Sequence, residues 1–480
     1  MAGSLLQHPF LWKMKLFLTR SFLLGFFLIP AVSSLRSQDK NHSFESDTTS
    51  LAYALRKGSM DVHFRLFGMA TDNRNPLTDY HALAFGGGLK YETGSFKGFQ
   101  AGVSGFFIWN LASSDLGKPD PFTGSPNRYE IGQFDIEDPY NRNDMDRLEE
   151  FYLRYHRKAL KVTFGKQEIK TPFVNPQDGR MRPTGEQGVW LEWTPKERLV
   201  LQSGWMTKIS PRGTVRWYEI GESIGVYPGG VGVDGMKSDY AGNLNSAGIA
   251  ILGLTYRTRS GIDMQFWDHF VDRVFHTVMG QVDRKWKRNA ETSVEGGFQY
   301  VFQHPVAGGG NREASKAYFD PGARTHIVSG RLGFVKRDFT VRFNLTRIGK
   351  DGRFLMPREW GREPFYTFLP RERNEGAGDV NAMSLNLIRT FNRKRTKAEF
   401  SYGYYDMPDV RESRLNKYQI PSYHQLLFNL RHSFSGFLTG LDLEFLYVYK
   451  PRSGRYYNQL RHIINKVDMQ HVNLVFNYRF

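Results

Sequence analysis

The sequence predicts a transmembrane antiparallel β-barrel of about eighteen strands, with short turns at one end and long loops at the other. Three observations carry this prediction. The dominant hydrophobic period is two, the signature of strands with one apolar and one polar face. Connections between the alternating segments are tight and long in turn. The chain closes on Val472-Asn-Leu474-Val-Phe476-Asn-Tyr478-Arg-Phe480, which alternates strictly and ends on phenylalanine.

The N-terminus reads as an export signal. Lys13, Lys15 and Arg20 precede a 12-residue apolar run over 21–32, and Ala31-Val32-Ser33 is a small-residue cleavage site. This predicts a signal peptide over 1–34, a periplasmic segment over 35–56 and a barrel over 57–480, with Met14 as a second plausible start. The run is short for a membrane-spanning helix, which needs ~20 apolar residues, and no mature stretch supplies one. The 480 residues carry 65 Lys and Arg against 48 Asp and Glu, a net charge of +17. Three of those charges leave with the signal, so the mature chain keeps +14. A charge of that size invites a nucleic-acid reading, but an exported chain does not meet the genome, so no nucleic-acid partner is expected. Cysteine is absent, which excludes a disulfide scaffold, a thiolate zinc site and an iron–sulfur centre.

Strand by strand, the alternation sets out two faces. Val62, Phe64 and Leu66 alternate with Asp61, His63 and Arg65; Phe151, Leu153 and Tyr155 alternate with Glu150, Tyr152, Arg154 and His156. Further strands fall at 99–109, 294–302, 339–345, 398–404, 426–430 and 441–449. Tight connections lie at 93–98, 157–159, 194–198, 257–261, 284–290, 336–338, 390–397 and 433–440. Long ones lie around 110–147, 167–188, 208–246, 303–325, 347–380, 406–422 and 450–466. A lipid-facing strand needs an apolar side chain only at every second residue, which accounts for a mean hydropathy of −0.49. Tyr91, Trp109, Trp193, Trp205, Tyr256, Tyr447 and Tyr449, near strand ends, suit the interfacial aromatic girdles.

Several motifs resemble chemistry without its context. Gly221-Glu-Ser223-Ile-Gly225 matches a hydrolase nucleophile elbow, yet no strand–turn–helix unit surrounds it. Gly230-Val-Gly232-Val-Asp-Gly235 matches a dinucleotide fingerprint without a βαβ unit. The basic clusters Arg284, Lys285, Lys287, Arg288 and Arg389, Arg393, Lys394, Arg395, Lys397 fall at short turns, beside anionic lipid head groups. The histidines show no compact metal-binding spacing, and neither an enzyme nor a cofactor is expected.

The segment Phe164-Gly165-Lys166 … Pro172-Phe-Val-Asn175-Pro-Gln-Asp178-Gly-Arg180-Met-Arg182-Pro183-Thr184-Gly-Glu186-Gln-Gly188 resembles the OprD family of substrate-specific outer-membrane porins. Asp178, Arg180, Pro183 and Gly188 fall on its Asp-x-Arg-x-x-Pro loop pattern and closing glycine, while Gly179 and Arg182 depart from it. The C-terminal Phe476, Tyr478 and Phe480 resemble the assembly signal of Gram-negative outer-membrane barrels. The resemblance implies a monomer or loose trimer in the outer membrane, with lipids and the barrel-assembly machinery as partners. It also implies that the loop at 167–188 folds inward, with Asn175, Asp178, Arg180, Arg182 and Glu186 at the constriction, helped by the loop at 347–380. Family members pass small carboxylate-bearing nutrients along a basic lumen row. In the polar phase, His63, Arg65, Arg154, His156, Arg331 and Arg342 are candidates for such a row, because guanidinium groups hold carboxylates through paired hydrogen bonds. Asp61, Glu150, Glu192, Glu295, Glu399, Asp442 and Glu444 could neutralise these cations or face them as an acidic wall. Competing readings are a general or anion-selective porin, a barrel hydrolase with Ser223 as nucleophile, and adhesion through the long loops.

Overall fold

The computed structural model describes residues 50–177 and 179–480. The export signal and Asp178 lie outside the described residues. A short helix, α1 (Leu51–Arg56), is capped by Ser50, whose Oγ accepts the Tyr53 N–H at 3.2 Å. Eighteen antiparallel strands follow. The first six are β1 (Ser59–Asn73), β2 (Tyr80–Glu92), β3 (Phe99–Ser113), β4 (Arg147–Arg157), β5 (Leu160–Gln167) and β6 (Gly185–Lys196). Then come β7 (Leu199–Ser210), β8 (Ile249–Arg257), β9 (Ile262–Val271), β10 (Phe275–Lys287), β11 (Thr292–Pro305) and β12 (Thr325–Lys336). The last are β13 (Phe339–Ile348), β14 (Val380–Phe391), β15 (Thr396–Asp406), β16 (Tyr423–Ser433), β17 (Leu441–Lys450) and β18 (Met469–Arg479). A two-residue strand, Tyr218–Glu219, hangs on the end of β7 and is not a stave, because β7 pairs directly with β8.

Each strand pairs with its sequence neighbours, and β1 pairs with β18, so the barrel closes without an exposed edge. Phe480 extends that seam, exchanging backbone hydrogen bonds with Val62 at 3.0 and 3.1 Å. The terminal residue therefore belongs to the closing ladder.

Alternation sets which face each side chain takes. On β13, Phe343 and Leu345 are 42% and 49% exposed on the outer face, whereas Asn344 and Thr346 in the other phase are buried on the inner one. Trp109, Trp193, Trp205, Tyr256 and Tyr449 are exposed near strand ends, and Tyr91 and Tyr447 are partly covered. Two connections on the long-loop side are also short, six residues between β1 and β2 and three between β9 and β10, departures from the asymmetric threading.

The lumen is not an open tube. An apolar core that includes Phe173, Val174, Trp190, Met206, Ile220, Phe354, Trp360 and Phe365 packs long-loop residues against the inner wall. Inward glutamines of the strands fix the loop 349–379 to that wall. Gln303 exchanges hydrogen bonds with Leu355 at 2.7 and 2.9 Å, Gln299 donates to the Pro364 carbonyl at 3.1 Å, and Gln425 donates to Pro370 at 2.8 Å. Loop carbonyls inside a barrel need such donors, since an unpaired buried polar group costs about 1–3 kcal/mol.

Candidate functional site: an arginine-lined constriction

Two loops meet inside the barrel. The loop 168–184 is tied to the loop 349–379 through Asn175, whose backbone N–H donates to the Trp360 carbonyl at 2.9 Å and whose side chain brackets the Arg362 backbone at 2.9 and 3.1 Å. Thr171 bonds His269 of β9 at 2.9 Å. At its far end, Arg65 of β1 donates to the Arg180 carbonyl at 2.6 Å. The loop thus crosses the lumen with both flanks anchored.

On the long-loop side lies a cavity of about 890 Å³, partly open to solvent. On the short-turn side lies a wider one of about 1760 Å³. Gln177 is common to both linings and marks where they meet. Its backbone holds a left-handed φ of 42°, and its side-chain oxygen accepts from Arg373 Nη2 at 2.7 Å. Arg212 donates to the Gln177 carbonyl at 3.3 Å.

The long-loop cavity is strongly cationic. Arg128, Arg180, Arg212, Arg358, Arg371, Arg373 and Lys450 line it, against two carboxylates, Glu372 and Glu375. Both carboxylates are engaged: Glu372 lies 3.2 Å from Lys450, and Glu375 lies 3.7 Å from Arg358 and 3.6 Å from Lys417. Other arginines rest on neutral acceptors. Arg180 donates to the Gly179 carbonyl at 2.8 Å, Arg128 to the Asn465 carbonyl at 3.1 Å, and Arg371 to His471 Nε2 at 2.7 Å. Burial, with Arg371 nearby, pushes the Arg180 guanidinium down to about 9, and burial pushes Arg371 and Arg373 down to about 10. All three stay charged at neutral pH. Their positive field is concentrated where water is scarce and screening weakest.

Residues 141–312 match the family model described as outer membrane porin, OprD family. Among solved structures, the chain is similar to OccAB2 of Acinetobacter baumannii (14% identity, TM-score 0.70) and OccK9 (OpdG) of Pseudomonas aeruginosa (14%, 0.69). It is also similar to OpdK of Pseudomonas aeruginosa, solved with vanillate (14%, 0.65). Each alignment covers 89% of this chain and 99% of the other. The chain is thus similar to OprD-family outer-membrane porins over residues 141–312 and shares their barrel fold. A search of curated proteins by sequence gives no match. In an outer-membrane barrel threaded this way the short turns are the periplasmic ends and the long loops the extracellular ones.

The structure distributes the sequence-derived candidates unevenly. Arg180 lines the extracellular cavity and Asn175 the periplasmic one. Arg182 and Glu186, expected at the constriction, line neither cavity. Arg182 is fully buried, donates to the Met145 carbonyl at 2.7 Å and sits 3.6 Å from Glu149. Glu186 is fully buried at the start of β6, where it accepts the N–H of Ile169 just beyond β5 at 3.0 Å. Both point behind the inward loop and hold its base.

The candidate lumen row is not assembled as one row. Its members fall on β1, β4, β12 and β13, and none lines either cavity. Arg154 pairs with Glu92 at 3.0 Å over the Tyr152 ring, and Arg342 pairs with Glu295 at 3.0 Å. Arg331 stacks on Tyr366 at 4.2 Å and donates to Asn344 at 2.8 Å. His63 and Arg65 both bond Asn477, at 3.1 and 2.7 Å, and His156 faces the lumen on β4. Most wall acids are likewise taken up by neighbours: Glu150 by Lys90 at 2.7 Å, Glu192 by Lys161 at 3.1 Å, Glu399 by Lys397 at 3.2 Å and Glu444 by Arg431 at 2.8 Å.

Arg128, Arg212, Arg358, Arg371, Arg373 and Lys450 went unread in the sequence, because they come from separate loops and a strand end. Arg371-Glu-Arg373 inside a long loop is the one local hint. Ser223 is fully buried, donating to the Ile220 carbonyl at 2.7 Å and accepting from Trp360 Nε1 at 2.8 Å. That setting supplies it with scaffold contacts and, among the described residues, no histidine hydrogen-bond partner.

Glu363 lines the periplasmic cavity just beyond the constriction. Burial pushes its carboxyl up to about 7, against the opposing hydrogen bond from the Asn374 backbone. It is neutral below that pH and negative above it. Anion preference in planar bilayers should therefore be higher at pH 5.5 than at pH 8.5, and Glu363→Gln should flatten that step. A step of equal size in the variant would refute the assignment.

Proposed function

We propose that the porin conducts selective, passive diffusion of small carboxylate-bearing solutes, such as amino acids or short peptides, across the outer membrane. The observation that carries this reading is the seven-cation lining of the extracellular cavity, where the two inward loops meet. Arginines resting on neutral acceptors can exchange those contacts for a carboxylate, which a guanidinium binds in a bidentate geometry. The exchange is near balanced, so a solute is held weakly enough to leave, as conduction requires. Glu372 and Glu375 in the same lining, with Glu363 beyond, provide negative charge for an ammonium group. That OpdK was solved with vanillate, itself a carboxylate, is consistent with the substrate class.

Uptake into proteoliposomes tests the reading. Amino acids should enter faster than their carboxamide counterparts of equal size, and should reduce the salt current through single channels. Equal rates for acid and amide, with no block of current, would favour a general or anion-selective porin instead.

A further inference from the structure

On the outer face of the barrel, at the extracellular ends of β9, β10 and β11, two histidines and an aspartate form a cluster unrelated to the pore. Asp268 lies in the outward phase of β9 with the exposed Phe266, while Trp267 and His269 point inward and are buried. His276 and His304 are directly opposed partners in the β10–β11 ladder. Opposed residues of an antiparallel pair bring their side chains together, and the rings meet edge-on with centroids 5.2 Å apart.

The hydrogen-bond directions leave a gap in the chemistry. His276 Nε2 is 2.8 Å from Asp268 Oδ1, and a carboxylate accepts, so that nitrogen carries a hydrogen. His304 Nδ1 is 3.0 Å from the Pro305 carbonyl, which also accepts, so that nitrogen carries the other. The two remaining nitrogens, His276 Nδ1 and His304 Nε2, then face each other across 3.3 Å as lone pairs. Two lone pairs at that distance repel unless a cation lies between them. A proton is one such cation. A divalent metal is the other, and two nitrogens each bound at about 2.0–2.1 Å in a tetrahedral shell lie at about this separation. The Asp268–His276 contact is the carboxylate–histidine support that orients metal-ligating imidazoles and raises their basicity.

We propose that His276 Nδ1 and His304 Nε2 form a site for a divalent transition metal such as Cu(II) or Zn(II), with Asp268 as the outer partner of His276. Imidazole nitrogen selects these ions over Mg(II) and Ca(II). No cluster of three or more metal-ligating side chains occurs among the described residues, so water fills the remaining positions. The His276 and Asp268 side chains are 25% and 27% exposed, which leaves the ion an entry path. Protons compete for the same lone pairs, so binding weakens as pH falls.

The test uses the full mature chain, without a histidine tag, in detergent micelles, titrated with Cu(II) and read by calorimetry and electron paramagnetic resonance. The wild type should bind one ion through two nitrogen donors, at least tenfold more tightly at pH 7.5 than at pH 5.5. His304→Ala should weaken binding at least tenfold and Asp268→Asn by a smaller factor, while His326→Ala leaves it unchanged. Equal affinity in wild type and His304→Ala overturns the proposal. A spectrum with fewer than two nitrogen donors in the wild type overturns it too, independently of how any variant folds.

Discussion

Arg180→Ala should lower the anion-over-cation preference of the channel about fivefold, read as the reversal potential of single channels in a salt gradient. One charge about 6 Å from the path, at an effective dielectric of about 50, contributes about 1 kcal/mol to a permeating ion. Arg180 is buried against the extracellular cavity, and its guanidinium donates to the Gly179 carbonyl at 2.8 Å. Arg373→Ala should match it in direction and add a second effect. The guanidinium holds Gln177 at the junction of the two cavities, so its loss should also raise conductance by freeing that side chain. Arg182→Ala is the control. It removes the same charge from behind the loop, where it bonds Met145 and lies near Glu149. Its reversal potential should stay near that of the wild type while its unfolding temperature falls. If Arg182→Ala shifts selectivity as much as Arg180→Ala, the selectivity resides in overall charge and not in the cavity lining.

Gly188→Ala should sharply reduce the yield of folded barrel, measured as the heat-modifiable fraction on unboiled gels. Gly188 sits at the bulge where β6 returns from the inward loop, opposite Gly165 of β5. A Cβ there would stand 2.1 Å from the Trp205 carbonyl oxygen, a backbone atom that cannot rotate away. Overpacking of this kind costs about 1–3 kcal/mol or more. Gly165 is held still more firmly, with φ +121° and a virtual Cβ 2.3 Å from the Phe151 carbonyl oxygen. Gly280→Ala provides the contrast, because a Cβ at that position meets nothing within 4 Å and the backbone is ordinary. Equal folding of Gly188→Ala and Gly280→Ala would show that the bulge relaxes and that backbone contact does not constrain it.

Both predictions show how far the sequence reaches. The glycines at 165 and 188 flank the segment whose pattern resembles the OprD loop, and the structure supplies the reason for each: a backbone that passes too close for a side chain. Arg180 was legible for the same cause, since a local motif marks a loop. Arg182, two residues on, carried the same charge and the same apparent role. It differs because the chain turns between them, sending one guanidinium toward the cavity and the other behind the inward loop. Nothing in the residue types distinguishes the two.

The sequence by itself determined the barrel, its stave number of about eighteen, the face of the strand side chains it read and the closing C-terminal strand. Side-chain direction in a strand follows from a two-residue period, and a closed sheet is one of only two ways to satisfy backbone polar groups in lipid. Only the tertiary structure decided which cations meet at the constriction. Arg128, Arg212, Arg371 and Arg373 lie in three loops without periodicity, and their positions depend on where strand glutamines and an apolar core hold those loops. It also decided that the lumen arginines of β4 and β13 pair with Glu92 and Glu295 instead of forming a row. Face is a local property of the chain, and convergence is not.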